Sequence, residues 1–140
     1  MGKESVSTEW KGEMKFEAEV TGHKVTMDST PEFGGHDEGP RPKPLVLASL
    51  AGCTGMDVVS ILKKMKVNLD GFKLTCEADV ADEHPKIYTN IKLIYEFRGK
   101  GLDRSKLEKA VSLSQERYCG VSAMLRKNCP INYEIRILEE

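Results

Sequence analysis

The stretch Leu45–Leu62, LVLASLAGCTGMDVVSIL, runs for eighteen residues with a single charged side chain, Asp57, and a cysteine, Cys53, near its middle. Its composition predicts a helix. Pro44, just ahead, suits the first helical turn, where a missing N–H costs no hydrogen bond. A helix of this kind comes close to the ~20 apolar residues needed to span a membrane. Asp57, Ser49, Thr54, Ser60 and two glycines inside it, and the KKMK segment that follows, favour instead a helix buried on most of its circumference within a protein core.

On either side of this helix the apolar residues alternate with period two. Val6, Thr8 and Trp10, then Met14, Phe16, Ala18 and Val20, then Val25 and Met27, separated by KGE and TGHK, predict three short strands with one apolar face. The segment 29–44, STPEFGGHDEGPRPKP, is rich in Gly, Pro and charge and reads as a long loop. Beyond VNLDG, the series Phe72, Leu74, Cys76, Ala78 and Val80 is followed, after ADEHPK, by Ile87, Thr89, Ile91, Leu93, Tyr95 and Phe97, which predicts a hairpin of two long strands. Asp103 is a plausible N-cap for a helix carrying Leu107, Ala110, Val111, Leu113 and Ser114 up to Tyr118. Gly120 breaks that pattern, VSAMLRK offers a shorter helix, and Ile131, Tyr133, Ile135 and Ile137 mark a closing strand. The order β-β-β-α-β-β-α-α-β argues an α+β fold with mostly antiparallel sheet, and 140 residues without repeat or linker argue one domain over 1–140.

Lys+Arg of 21 against Asp+Glu of 22 leaves a formal charge of -1, scattered along the chain, so neither a nucleic acid nor an anionic membrane is expected as a partner. The segment MGKESVSTEWKG has no apolar run after its first basic residue and does not read as a secretory signal, so a cytoplasmic location is expected. There the four cysteines would stay reduced, leaving packing, metal binding or redox chemistry as their uses.

Cys76 is in phase with Leu74 and Ala78 on an apolar strand face, which packing explains. Cys129, before Pro130, reads as a turn residue and at most a spare redox partner. Cys53 is different: Ala51, Gly52 and Gly55 leave room around it, and Asp57 lies one turn on, where packing alone has no use for a carboxylate. Cys119 stands at the break between two helical segments, where unpaired N–H groups favour a thiolate. Against this stands the ordinary fate of a free cysteine, which is burial as an inert small hydrophobe. His23, His36 and His84 fall in turns or loops, and no Cys–His or C-x-x-C spacing matches a zinc site. Asp57 has two readings at this stage, a buried salt bridge or hydrogen bond between helices, or a group that tunes the thiol.

Together, PKPLVLASLAGCTGMDVVSILKK and AVSLSQERYCGVSAMLRK, separated by two long alternating strands and preceded by EWKGEMKFEAEVTGHKVTMD, resemble the OsmC/Ohr family of thiol-dependent peroxidases, and its OsmC-like branch more than the organic hydroperoxide resistance proteins. The resemblance covers nearly the whole chain. It implies an OsmC-like fold, with mostly antiparallel curved sheets around a long buried central helix, and an intertwined homodimer with active sites at the subunit interface. It also implies that Cys53 is the peroxidatic cysteine and Cys119 the resolving one, acting on organic hydroperoxides and less well on hydrogen peroxide. No bound cofactor is implied, only an external dithiol reductant of lipoyl type or another thiol. Where peroxide-reducing members carry a glutamate, nine or ten positions before the first cysteine, this chain has Pro44 and Lys43, and its N-terminal strands offer Lys11 and Lys15 in place of an arginine. Asp57, Arg41, Glu38 and Lys15 are therefore the candidates for tuning the thiolate. The alternative reading is a non-catalytic dimer that binds a small apolar or electrophilic ligand or senses redox state.

Overall fold

The computed structural model describes residues 2–139. Their contacts gather into two compact units, one up to Val46 and one from Leu47 onward.

The first unit is an antiparallel sheet of β1 (Ser7–Trp10), β2 (Phe16–Val20) and β3 (His23–Met27), in that order. Val20 pairs with His23, which leaves Thr21 and Gly22 as a two-residue connection, and both have positive φ (46° and 82°). That geometry matches the right-handed twist of a tight hairpin. The expected single apolar face is present only in part. Ala18 is buried, but every residue of β1 is exposed, because β1 is an edge strand paired only with β2. Trp10, 62% exposed, is tied down by its indole N–H, which donates to the Glu13 carbonyl at 2.8 Å.

The long loop after β3 is organised by one carboxylate. Buried Asp28 accepts the backbone N–H of Ser29 at 2.7 Å, of Glu38 at 3.1 Å and of His36 at 3.2 Å, so its two oxygens gather both ends of the loop. Gly35 is needed where the loop crosses itself, since a Cβ there would lie 2.1 Å from the Ser29 carbonyl oxygen.

The second unit holds a sheet of order β4-β5-β6, formed by β4 (Gly71–Val80), β5 (Tyr88–Gly99) and β6 (Ile131–Glu139). β4 and β5 pair antiparallel as the alternation predicts. β6 instead runs parallel to β5, with Ile91 facing Ile131 and Phe97 facing Ile137. A parallel partner needs a crossover, and here it consists of α2 (Arg104–Leu113), a π turn (Ser114–Tyr118) and α3 (Gly120–Arg126). Asp103 caps α2 as expected, accepting from the Ser105 N–H at 3.0 Å. Ile91, Leu93, Tyr95 and Phe97, alternating along β5, form the centre of the core, and Phe97 stacks on Phe72 at 4.7 Å.

Helix α1 (Pro44–Lys64) begins at the proline and buries Leu50, Thr54, Val58 and Leu62, one residue per turn. The expectation of a helix buried on most of its circumference is corrected here: Ala48, Gly52, Met56 and Val59 form an exposed opposite stripe, with Met56 77% exposed. By length and composition this helix could also cross a membrane. Its buried face nevertheless joins the core cluster built on β5. Cys76 and Cys129 both end against the core. Cys76 is half-buried against the core, and Cys129, read as a turn residue, is buried within it.

The three N–H donors, that of Ser29 foremost, hold the Asp28 carboxyl below its ordinary 3.8. A carboxyl lowered on folding stabilises the folded state above its unfolded value, and that contribution is lost as the pH falls through the lowered folded value. Acid titration followed by fluorescence of Trp10, the single tryptophan, should therefore show the first unit losing stability below about pH 4. Asp28→Asn should weaken that unit at neutral pH and flatten its acid dependence. An unchanged acid profile in the variant would show that Asp28 does not hold the loop.

Candidate thiol site

Cys53 lies on α1, one residue before buried Thr54, and Cys119 lies where the π turn ends. The π turn is closed by the Cys119 N–H, which donates five residues back to the Ser114 carbonyl at 2.8 Å. Cys119 itself is extended (φ −78°, ψ 102°) and forms the N-cap of α3, its Sγ accepting from the Ser122 N–H at 3.3 Å. The break that Gly120 suggested in the sequence thus turns a cysteine into a helix cap, a role usually taken by Ser, Thr, Asp or Asn.

This turn places Cys119 in the same core cluster that Cys53 packs against. Cys119 and the backbone N–H of Val121 both lie near enough to Cys53 to act on its thiol. The Ser122 N–H serves the Cys119 sulfur, and the neighbouring Val121 N–H lowers the pKa of the Cys53 thiol. Cys119 is buried and Cys53 half-buried. Burial pushes the Cys53 thiol up, the Val121 N–H opposes it, and Cys119 and Asp57 add to the rise. By contrast, Cys76 has burial alone acting on it and is pushed up to about 11.

Beside the sulfurs runs a chain of buried polar groups. Ser114 Oγ donates to Asp57 Oδ2 at 2.9 Å, and Thr54 Oγ1 lies 2.7 Å from both Ser114 Oγ and Tyr95 Oη. Gln115 Nε2 donates to Thr54 Oγ1 and to Tyr95 Oη, each at 3.1 Å. Arg126 grips Gln115 twice, donating to its carbonyl at 2.9 Å and to Oε1 at 3.0 Å, which settles which way the amide faces. Burial pushes the Tyr95 phenol up to about 12, so it remains a proton donor. Ser122 Oγ is buried without a hydrogen-bond partner.

The sequence-predicted residues divide between the two units. Cys53, Cys119 and Asp57 come together in the second. In the first, Lys15 pairs with Glu38 at 3.2 Å and Arg41 pairs with Asp37. Asp57 makes the hydrogen bond that one of its two readings anticipated, but its partner is a serine hydroxyl. Tyr95, Gln115 and Arg126 escaped the sequence reading. Tyr95 was legible only as a strand core residue, and Gln115 and Arg126 lie off the apolar faces that periodicity detects. Thr54 did leave a signal, a hydroxyl at the centre of an apolar run. Among the described residues, no three His, Cys, Asp or Glu side chains are grouped to hold a metal ion.

Residues 35–134 match the family model described as OsmC-like protein. The chain is 33% identical over 118 residues to Protein YhfA of Escherichia coli (strain K12), covering 83% of this chain and 85% of the relative. Among solved structures, a hypothetical protein from Aquifex aeolicus VF5 superposes with a TM-score of 0.82 at 30% identity, over 99% of both chains. The organic hydroperoxide resistance protein OhrB of Bacillus subtilis shares the fold, with a TM-score of 0.66 at 18% identity over 94% of this chain and 96% of that one. With this element order and a family model matching residues 35–134, the chain belongs to the OsmC-like protein family.

Proposed function

We propose that this protein is a thiol-dependent peroxidase of oxidative stress defence in the cytoplasm, acting on organic hydroperoxides in preference to hydrogen peroxide. The observation that carries this reading is that Cys119, capping α3 with the Ser122 N–H on its sulfur, lies near enough to Cys53 to act on its thiol. The Cys53 thiolate attacks one peroxide oxygen and the O–O bond breaks. The alkoxide leaves and takes up a proton to become the alcohol, and Cys53 becomes a sulfenic acid. Cys119, as thiolate, then attacks the Cys53 sulfur and expels hydroxide, which a proton converts to water, leaving a disulfide. An external dithiol, of lipoyl type or another thiol, reduces that disulfide and is itself oxidised.

The same reading includes a homodimer. Ala48, Gly52, Met56 and Val59 form an apolar stripe along α1 in which the small residues Ala48 and Gly52 precede two larger ones, beside a groove of about 520 Å³ lined by Gly52, Met56, Val59 and Phe72. A second copy of α1 would cover it, since small side chains let helices approach closely. A second functional reading, a non-catalytic dimer that binds a small apolar or electrophilic molecule, is favoured by the burial that pushes Cys53 up rather than down.

One equivalent of an alkyl hydroperoxide added to reduced protein should consume two thiols per chain and yield a Cys53–Cys119 disulfide on peptide mapping. Cys53→Ser should abolish the first oxidation, and Cys119→Ser should stop at sulfenic acid or overoxidise. Both thiols still free after that addition would sink the peroxidase, and a Cys53 no faster with peroxide than a free model thiol would favour the ligand-binding reading. Sedimentation equilibrium should give twice the 15.6 kDa chain mass, and Met56→Glu, at an exposed position, should give a folded monomer. A monomeric wild type would remove the dimer.

A further inference from the structure

The polar chain beside the sulfurs has a direction. An ionised carboxylate only accepts, so the Ser114 hydroxyl gives its single proton to Asp57. Ser114 Oγ must then accept from Thr54, whose single proton is thereby committed. Thr54 in turn accepts from Tyr95 and from Gln115, and Tyr95 accepts from the other N–H of the same amide. Arg126 donates to Gln115 Oε1, which keeps the NH₂ facing the two hydroxyls. Donation therefore runs one way, from Arg126 through Gln115, Tyr95, Thr54 and Ser114 to Asp57. A buried network in which every donor is assigned is stiff, because reversing one member leaves another unpaired.

Ser114 anchors the Asp57 carboxylate, half-buried and one helical turn from Cys53, without neutralising it. The cation in the chain, Arg126, is at the far end and engaged with Gln115. We propose that Asp57 is a positioning residue for the thiol site, held by this one-way relay so that its carboxylate stays one helical turn from Cys53 and restrains that thiol until a reaction draws on it. The inference rests on the reading of Cys53 and Cys119 as a working pair and adds what restrains Cys53 at rest.

The titratable groups around the relay are Cys76 on β4, Tyr95 on β5, Arg126 on α3, and the two cysteines with Asp57. Cys76 and Tyr95 are both pushed upward by burial and stay neutral near pH 7.

The test is the rate of alkylation of Cys53 by iodoacetamide across pH in the reduced full-length protein, read at that residue by peptide mass mapping. Asp57→Asn keeps an oxygen to accept from Ser114 and removes the charge. It should lower the pH of half-maximal reactivity and raise the rate at pH 7 by about three- to tenfold, as expected for one charge at about one helical turn in a partly solvated site. Asp57→Glu, which restores the charge, should return the profile towards wild type. An unchanged or slower Cys53 in Asp57→Asn would overturn the proposal, and so would failure of both Asp57→Asn and Asp57→Ser to fold, since the carboxylate would then serve the fold alone. Alkylation needs no peroxide turnover. A shifted profile in a protein without peroxidase activity would therefore retain this inference and reject the peroxidase.

Discussion

The hydroxyl of Thr54 is the point on which the second unit turns. It sits on the buried face of α1, fully enclosed, and meets Tyr95 from the sheet and Ser114 and Gln115 from the π turn. Burying four such groups would be costly if any were left unpaired, since each would lose its water without compensation. Because they satisfy one another, the same cost acts as a specification: only one rotation of α1 and one path of the crossover make every bond. Apolar packing by Leu50, Val58 and Leu62 brings the helix to the core, and the hydroxyl network decides its register.

That register also brings both cysteines to one core cluster. Cys53 precedes Thr54 in sequence, and Cys119 closes the π turn that begins with Ser114 and Gln115. The residues next to the thiols in sequence are therefore the ones that lock the helices. A π turn is an uncommon element, found mainly where function requires it. Here it ends the helix with Cys119 extended, which lets the sulfur cap α3.

Much of this was legible from residue order alone. The alternation along 72–80 and 87–97 announced the long hairpin, and Pro44 and Asp103 marked helix starts that the structure places there. The sulfur pair was legible as two unusual cysteines and through family resemblance. Three things were not. Periodicity is blind to strand direction, so β6 gave no hint of running parallel to β5. A helix with apolar residues all round does not say which face the single chain covers, so the open stripe at Gly52, Met56 and Val59 was hidden. Polar partners such as Gln115 and Arg126 follow no period, and only the folded geometry brings them to Thr54 and Tyr95.

The parallel pairing of β6 also bears on when the thiol site comes into being. Ile91 and Ile131 are joined across forty positions, and the segment bearing Cys119 is the crossover between their strands. Such non-local pairings are slow to form, because loop-closure entropy is lost before the contacts compensate for it. α1 and the β4–β5 hairpin can form from nearer contacts, with Cys53 already on its helix, while Cys119 is still on an unanchored segment. Only when the closing strand docks is the crossover held at both ends. A chain still being synthesised thus carries two separate cysteines, and the pair is a property of the finished fold.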